Sequence, residues 1–355
     1  MILTLDGVKS NQERGAQKVE NYCGPIPASL FADKLSSAFL PRPIPMLTFR
    51  IVTLSAMQMA LLFSSVAFGD SITITNIQTL AIPLGSFITQ ASINDSGEIA
   101  GTANSQFGFL IPGSGGSPVQ ITVPGAQYTQ VTGINNQGTV VGYYFGTDNL
   151  IHGFSHAGGT FTPVTAGPYT YTEGINNSGD IIGYYSSVGD TATGFLLKNG
   201  VQTTFNVPGF PLATFPRGIN DAGQIVGYTS GTKLGGFLRQ SDGSLQTFDF
   251  SSYAINNSGN IVGTGIGPND TSIGMVSIGG SEFSYAFSGA MDTYLFGINN
   301  EDEVVGFYVN SGNAGRLFTG TLSVVATPEP SSLWLCAFIV IAGAFKLHKR
   351  ASRSI

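Results

Sequence analysis

A chain of 355 residues has room for two domains, and its two cysteines, Cys23 and Cys336, are too few to build a disulfide framework. Charged side chains are sparse, with 21 acidic against 15 basic and a formal net charge of −6. Between residues 70 and 327 the imbalance sharpens to 16 acidic against 5 basic, or −11, a sign that repels phosphate backbones and excludes nucleic acid as a partner.

In chain order, residues 1–45 show no clear period and become Pro-rich near their end, which reads as a misassigned or disordered N-terminal extension. From Met46 the pattern changes to one cation, Arg50, an apolar stretch from Ile51 to Phe68, and small residues at Ala67 and Gly69. This is the layout of a secretory signal peptide over 46–69, recognised by Sec-type export machinery and cleaved after Gly69 or Ala67. A retained membrane anchor has the same pattern.

Residues 70–327 are expected to form one repeat domain. The phrase Ile-Asn-(Asn/Asp)-x-Gly-x-(Ile/Val)-x-Gly starts at Ile93, Ile134, Ile175, Ile219, Ile255 and Ile298. A period near 41 residues implies one supersecondary unit copied around a ring or along an array. Each phrase reads as a strand end, a tight corner and a second strand. The first asparagines (Asn94, Asn135, Asn176, Asn220, Asn256 and Asn299) can bond their own backbone, and the fifth position calls for a left-handed residue. That position is Gly in five copies and Asp302 in the sixth, one of the few other residues that tolerates the conformation.

The glycines that end the phrase (Gly101, Gly142, Gly183, Gly227, Gly263 and Gly306) mark close backbone approach, expected where strands crowd toward an axis. A next strand follows at Phe109, Phe154, Phe195, Phe237, Met275 and Leu317–Phe318, then one carrying Val123, Phe161, Phe205 or Phe248, then one leading into the next Ile-Asn. Four strands per repeat is the size of a propeller blade. The last copy holds two strands (304–308 and 317–325), and 72–80 with 87–92 would supply the two it lacks. The fold class is therefore all-β: a six-bladed β-propeller closed by a shared blade, with an open β-solenoid as the alternative.

The phrases Gly-Ile-Asn-Asn-Ser-Gly-Asp-Ile-Ile-Gly-Tyr-Tyr (174–185) and His-Gly-Phe (152–154) resemble the HAF-type extracellular repeat family over nearly the whole repeat domain. Only one copy keeps the histidine of that family's His-Ala-Phe step. The resemblance implies an exported bacterial protein and no particular activity.

The chain ends with Pro328-Glu329-Pro330, an apolar run from Leu333 to Phe345, and a basic tail including Lys349, Arg350 and Arg353. Residues 328–355 resemble the PEP-CTERM sorting signal of bacterial exported proteins. That resemblance implies an exosortase as partner, acting on Pro328, Glu329 and Pro330 ahead of a transmembrane helix over about 331–347, with Arg350 in the retained basic tail. The protein would cross the inner membrane transiently and reach the cell surface or the extracellular space.

Reactive patterns are scarce. No HExxH, GxSxG, P-loop or CxxC is present, so no catalytic residue, cofactor or metal set is assigned. His152 and His156 flank a strand start, where a structural role is expected. Asn176, Ser178 and Asp180 alternate oxygens but lack the carboxylates of a calcium loop. The loops ahead of the Gly-Phe strands differ between copies and would gather on one face, making Asp148, Asp190, Asp270 and Asn313 the candidate ligand-binding residues. Tyr143, Tyr144, Tyr184, Tyr185, Tyr228, Phe307 and Tyr308 could stack on a ligand or pack within blades. The expected function is a non-enzymatic surface or matrix scaffold that binds extracellular polysaccharide. The alternative is a propeller enzyme acting on glycans through paired carboxylates about 5–10 Å apart.

Overall fold

The computed structural model describes residues 70–80, 87–113, 115–187, 191–209, 213–230 and 235–325. The signal segment, the C-terminal apolar run, Asp190, Pro328, Glu329, Pro330 and Arg350 lie outside the described residues. Among the described residues, no helix is long and apolar enough to cross a membrane; the helical content is one 3₁₀ turn, Pro268–Asp270.

Six antiparallel sheets of four strands make a six-bladed β-propeller. Blade 2 shows the plan: an innermost strand Tyr128–Ile134, then Val140–Phe145, Ile151–Ala157 and an outermost Thr160–Val164. The innermost strands contact each other all the way round, and Ala290–Ile298 of blade 6 meets Ile88–Ile93 of blade 1. Closure comes from the first strand of the domain, Ser71–Leu80, which pairs antiparallel with the last, Gly315–Val325, and forms the outer edge of blade 6. Ser71 stands opposite Val325, so the chain enters and leaves the ring at one point.

The shared closing blade expected from the sequence is present, but its division differs. It is built from one early strand and three late ones, and Ile88–Ile93 opens blade 1 instead. The reason is the place of the Ile-Asn phrase. It joins the innermost strand to the second within one blade, so the strand leading into each phrase starts a new blade rather than finishing the old one.

The corners form as their residues dictate. Gly97, Gly138, Gly179, Gly223 and Gly259 have φ between 72° and 81°, and Asp302 takes φ 56°. In the third corner, Asn176 Oδ1 accepts from the backbone N–H of Ser178 (3.1 Å) and Asp180 (2.9 Å). These oxygens are occupied by the turn, and Asp180 also faces Lys198 Nζ at 3.1 Å.

The core is divided into six seams, one between each pair of neighbouring blades. The adjacent apolar pair of each phrase explains this. Successive strand residues face opposite ways, so Ile181 packs toward blade 2 while Ile182 packs toward blade 4. A strand buried on both faces reads as continuously apolar. Five of the six seams also take a phenylalanine of the third strand, and Phe109, Phe154, Phe195, Phe237 and Phe318 are at most 1% exposed; the seam between blades 4 and 5 takes Met275 instead.

These rings account for the phrase-ending glycines. Gly142 pairs with Phe154 and Gly183 with Phe195, and a Cβ at either position would run into the phenyl ring and the carbonyl of the innermost strand of the same blade. The expected crowding toward the axis is therefore carried elsewhere. It falls on the residue just before each isoleucine: Ser92, Gly133, Gly174, Gly218, Ala254 and Gly297. A Cβ at Gly218 would sit 2.8 Å from the Cα of Ala254 in the next blade.

Candidate functional site

At the corner end, the six asparagines do more than hold their own turns. Asn94 Nδ2 donates to the Asn135 carbonyl of the next blade at 3.0 Å, and the pattern continues through Asn135, Asn176, Asn220 and Asn256. Asn299 Nδ2 closes it by donating to Asn94 O at 3.0 Å. These asparagines are 2–6% exposed, so the bonds satisfy amide groups that water barely reaches.

A second ring lies just outside the first. The backbone N–H of Asn136 donates to Asn177 Oδ1, that of Asn177 to Asp221 Oδ1, and so on through Asn257 and Asn300 to Asp95. Asp95 and Asp221 occupy opposite blades, 1 and 4. The Oδ2 of Asp221 accepts Asn177 Nδ2 at 2.9 Å and Asn257 Nδ2 at 2.7 Å, and Asp95 brackets Asn136 and Asn300 in the same way. Burial works against the Asp221 charge, but the donors from Asn257 and Asn177 outweigh it and hold its carboxyl below the usual range.

Inside the rings runs an axial cavity of about 380 Å³, walled by the innermost strands of all six blades. The residue two places before each isoleucine sets its character: Ala91, Thr132, Glu173, Arg217, Tyr253 and Phe296. Arg217 Nη1 donates to Glu173 Oε2 at 2.6 Å, and Gln90 Nε2, reaching in from blade 1, donates to the same oxygen at 3.0 Å. Arg217 Nη2 donates to Tyr228 Oη at 2.8 Å, with the guanidinium carbon 5.1 Å from that ring's centre. Glu173 is 1% exposed and Arg217 20%. Glu173 Oε1 and Arg217 Nε are buried and make no hydrogen bond within the protein.

Burial pushes the Glu173 carboxyl above the ordinary carboxylate range, against the pull of Arg217 and Gln90. Burial also opposes the charge on Arg217, yet the Glu173 carboxylate and the neighbouring tyrosines keep its pKa above the ordinary arginine value. The Tyr143 and Tyr184 hydroxyls are pushed up as well, chiefly by burial and then by the Glu173 charge. A belt of rings flanks the pair: Tyr143, Tyr171, Tyr184, Phe215, Tyr228, Tyr253 and Phe296 follow one another with centroids 4.5–6.2 Å apart.

The loop residues expected to bind ligand sit elsewhere. Asp148, Asp270 and Asn313 occupy hairpins joining second to third strands in blades 2, 5 and 6, so they do share the face opposite the corners. None lines the axial cavity. Asp148 accepts from His152 Nε2 at 2.9 Å and from Leu150 N–H, and these bonds hold its carboxyl below the usual range. Asn313 takes φ 57° in its turn. The hairpins end strands lying outside the innermost ring, which is why they do not converge on the axis. Of the expected aromatics, Tyr143 and Tyr228 line the cavity, whereas Tyr144 packs on His152 and Phe154, and Phe307 is fully buried. His156 packs on Phe161.

Glu173 and Arg217 were not singled out in the sequence. One signal was available: theirs is the only position beside the repeated phrase where the copies range from alanine through both charges to aromatics.

No protein-family model matches the chain, and no curated protein matches it. Several solved structures are similar. A protein assigned as TolB from Agrobacterium tumefaciens is 12% identical over 73% of this chain and 100% of its own, with a TM-score of 0.49. AofleA from Arthrobotrys oligospora is 13% identical over 75% and 93% of the two chains, with a TM-score of 0.46. The β-propeller domain of the Trilobed protease from Pyrococcus furiosus is 10% identical over 68% and 98%, with a TM-score of 0.41. Likenesses this distant carry no functional assignment.

Proposed function

We propose that this chain is an exported, non-enzymatic binding scaffold of the bacterial cell surface or matrix, whose propeller takes a small polar ligand in its axial cavity. The observation that carries this reading is the cavity itself. It is walled by all six blades, falls within the size range of small-ligand sites at about 300–1,000 Å³, and is bordered by an ion pair whose arginine is partly exposed. The repeated positions build the ring, while the position that varies most supplies the cavity wall.

Export rests on the signal-like segment 46–69, and exosortase processing on the Pro328-Glu329-Pro330 segment with its apolar run and basic tail. Intact-mass measurement of the protein from cells with and without the sorting protease tests the second point. An unchanged C-terminal mass in the two strains counts against processing. Binding is tested by titrating the full chain, purified in detergent, with small extracellular solutes and following tyrosine fluorescence, because tyrosine rings border the cavity. No saturable response to any solute would overturn the binding role.

The glycan-hydrolase alternative needs two convergent carboxylates. Asp148 is held within its own hairpin by His152 and Leu150, and Asp270 sits in a separate blade. The scaffold reading is therefore preferred.

A further inference from the structure

We infer that the ligand of the axial cavity is a neutral polyhydroxylated ring, a single sugar or cyclic polyol, held by the Arg217 guanidinium with Glu173 as its positioning partner. This rests on the binding role proposed above and specifies its chemistry.

Charge comes first. Arg217 is the cation bordering the cavity, and Glu173, almost wholly buried beside it, cancels its charge at 2.6 Å. At the corner mouth, Asp95 and Asp221 are bracketed by asparagine amides. An anionic ligand would meet a neutralised cation inside a domain of net charge −11, and a cationic one would meet a carboxylate already committed to Arg217 and Gln90. A neutral ligand meets neither obstacle.

Hydrogen bonding comes second. Arg217 is the partly exposed member of the pair, and each of its Nη atoms makes one bond, Nη1 to Glu173 and Nη2 to Tyr228, which leaves a second N–H on each. A hydroxyl is a neutral group that can accept from such a donor and donate in turn to a neighbouring acceptor. Tyr143 and Tyr228 bring further hydroxyls to the same wall, alongside Gln90 and Gln130.

Shape comes third. Tyr228, Tyr253 and Phe296 border the cavity and give its wall aromatic surface, of the kind on which the C–H groups of a sugar ring pack. A volume of about 380 Å³ suits one or two rings rather than a long chain.

The test is calorimetric titration of the full chain, in detergent, with three probe sets. These are free neutral monosaccharides and inositol, neutral oligosaccharides ending in the same sugars, and charged counterparts (uronic acids and amino sugars). The expected result is saturable binding of one neutral ring and weaker or absent binding of its charged counterparts. If the oligosaccharides bind as well as the free ring, the natural source is a glycan end; if only the free ring binds, it is a soluble sugar.

Arg217→Lys keeps the charge facing Glu173, and so the fold, but removes the planar fork of donors. It should weaken binding roughly ten- to a hundredfold while leaving the melting temperature nearly unchanged. Glu173→Gln with Arg217→Gln removes both charges together and controls for Arg217→Lys failing to fold. Binding of charged sugars in preference to neutral ones overturns this inference and leaves the binding role standing. Undiminished neutral-sugar binding by either folded variant also overturns it, because the ligand then sits elsewhere. Absence of all binding removes both readings.

Discussion

A single asparagine side chain at each corner serves two purposes, and a substitution can separate them. Asn135 Oδ1 accepts from Gln137 and Thr139 within its turn, while Nδ2 donates to Asn176 O of the next blade at 3.2 Å. Asn135→Asp keeps the turn acceptor but sets a carboxylate oxygen against a carbonyl. We expect a loss of about 1–3 kcal/mol at pH 7, and a larger loss for Asn135→Ala, which also forfeits the turn bonds. The introduced carboxyl would have a raised folded pKa, so its penalty should shrink as pH falls and the protonated oxygen can donate again. Thermal melts at pH 7 and pH 4 check this; a penalty independent of pH would mean that the inter-blade bond carries little.

Asp221 has the opposite sign. Its folded pKa lies below the ordinary 3.8, so its stabilising contribution is present above that value and is lost as pH falls through the lowered one. Asp221→Asn should remove this part of the acid sensitivity, giving a shallower fall in melting temperature below about pH 4 than the wild type shows. Equal slopes would place the acid lability elsewhere. The turn role of these corners could be read from the Asn and Gly positions alone. Their ring role could not, because a hydrogen bond from Nδ2 to a neighbouring blade depends on how blades meet.

At the scale of elements, strands were legible wherever a residue's neighbours in sequence decide its fate. The four-strand repeat and the Asp302 corner belong to that class. The closing role of residues 71–80 was legible instead from the count of strands at the two ends of the repeat, because its partner is the distant strand 315–325. The frame of the blade was not legible: the strand before each Ile-Asn is flanked by loops on a common pattern, and only packing shows which sheet it joins. The axial cavity was hidden for the same reason, since Glu173 and Arg217 lie 44 residues apart and meet only when blades 3 and 4 stand side by side.

Closure by one strand gives a further test. Ile74 fills the seam between blades 5 and 6 with Leu322 and Phe318, and Ile74→Ala should cost about 2–4 kcal/mol. Hydrogen exchange should rise first in 71–80 and 315–325, where an edge strand held by one partner opens most readily. Phe195→Ala, in the seam between blades 2 and 3, should cost about 3–5 kcal/mol without selectively loosening that pair. Uniform loosening by Ile74→Ala would show that the ring opens elsewhere.

At the scale of the whole molecule, stability is distributed over six similar seams, and two hydrogen-bond rings tie the seams together at one end of the axis. Each blade packs chiefly on its neighbours, as in other repeat arrays, with the Gln90–Glu173 bond across the axis as an exception, but a ring has no free end only while its one split blade stays joined. The position of the split should therefore matter in a way that circular permutation can read. Ser71 and Val325 are paired, so a short Gly/Ser linker can join them. Opening the chain between Gly158 and Gly159 leaves 160–164 as a leading strand paired with 151–157, the same three-plus-one closure moved to blade 2. That permutant should fold with stability within about 1 kcal/mol of the parent, the scale of a changed loop closure. Opening instead between Gln137 and Gly138 cuts one corner, separating Asn135 from the Thr139 N–H it holds and slackening both rings at that blade. This second permutant should melt well below the first, although both interrupt a single exposed turn. Comparable melting of the two would mean that the seams alone hold the propeller shut and that the asparagine rings only align the blades.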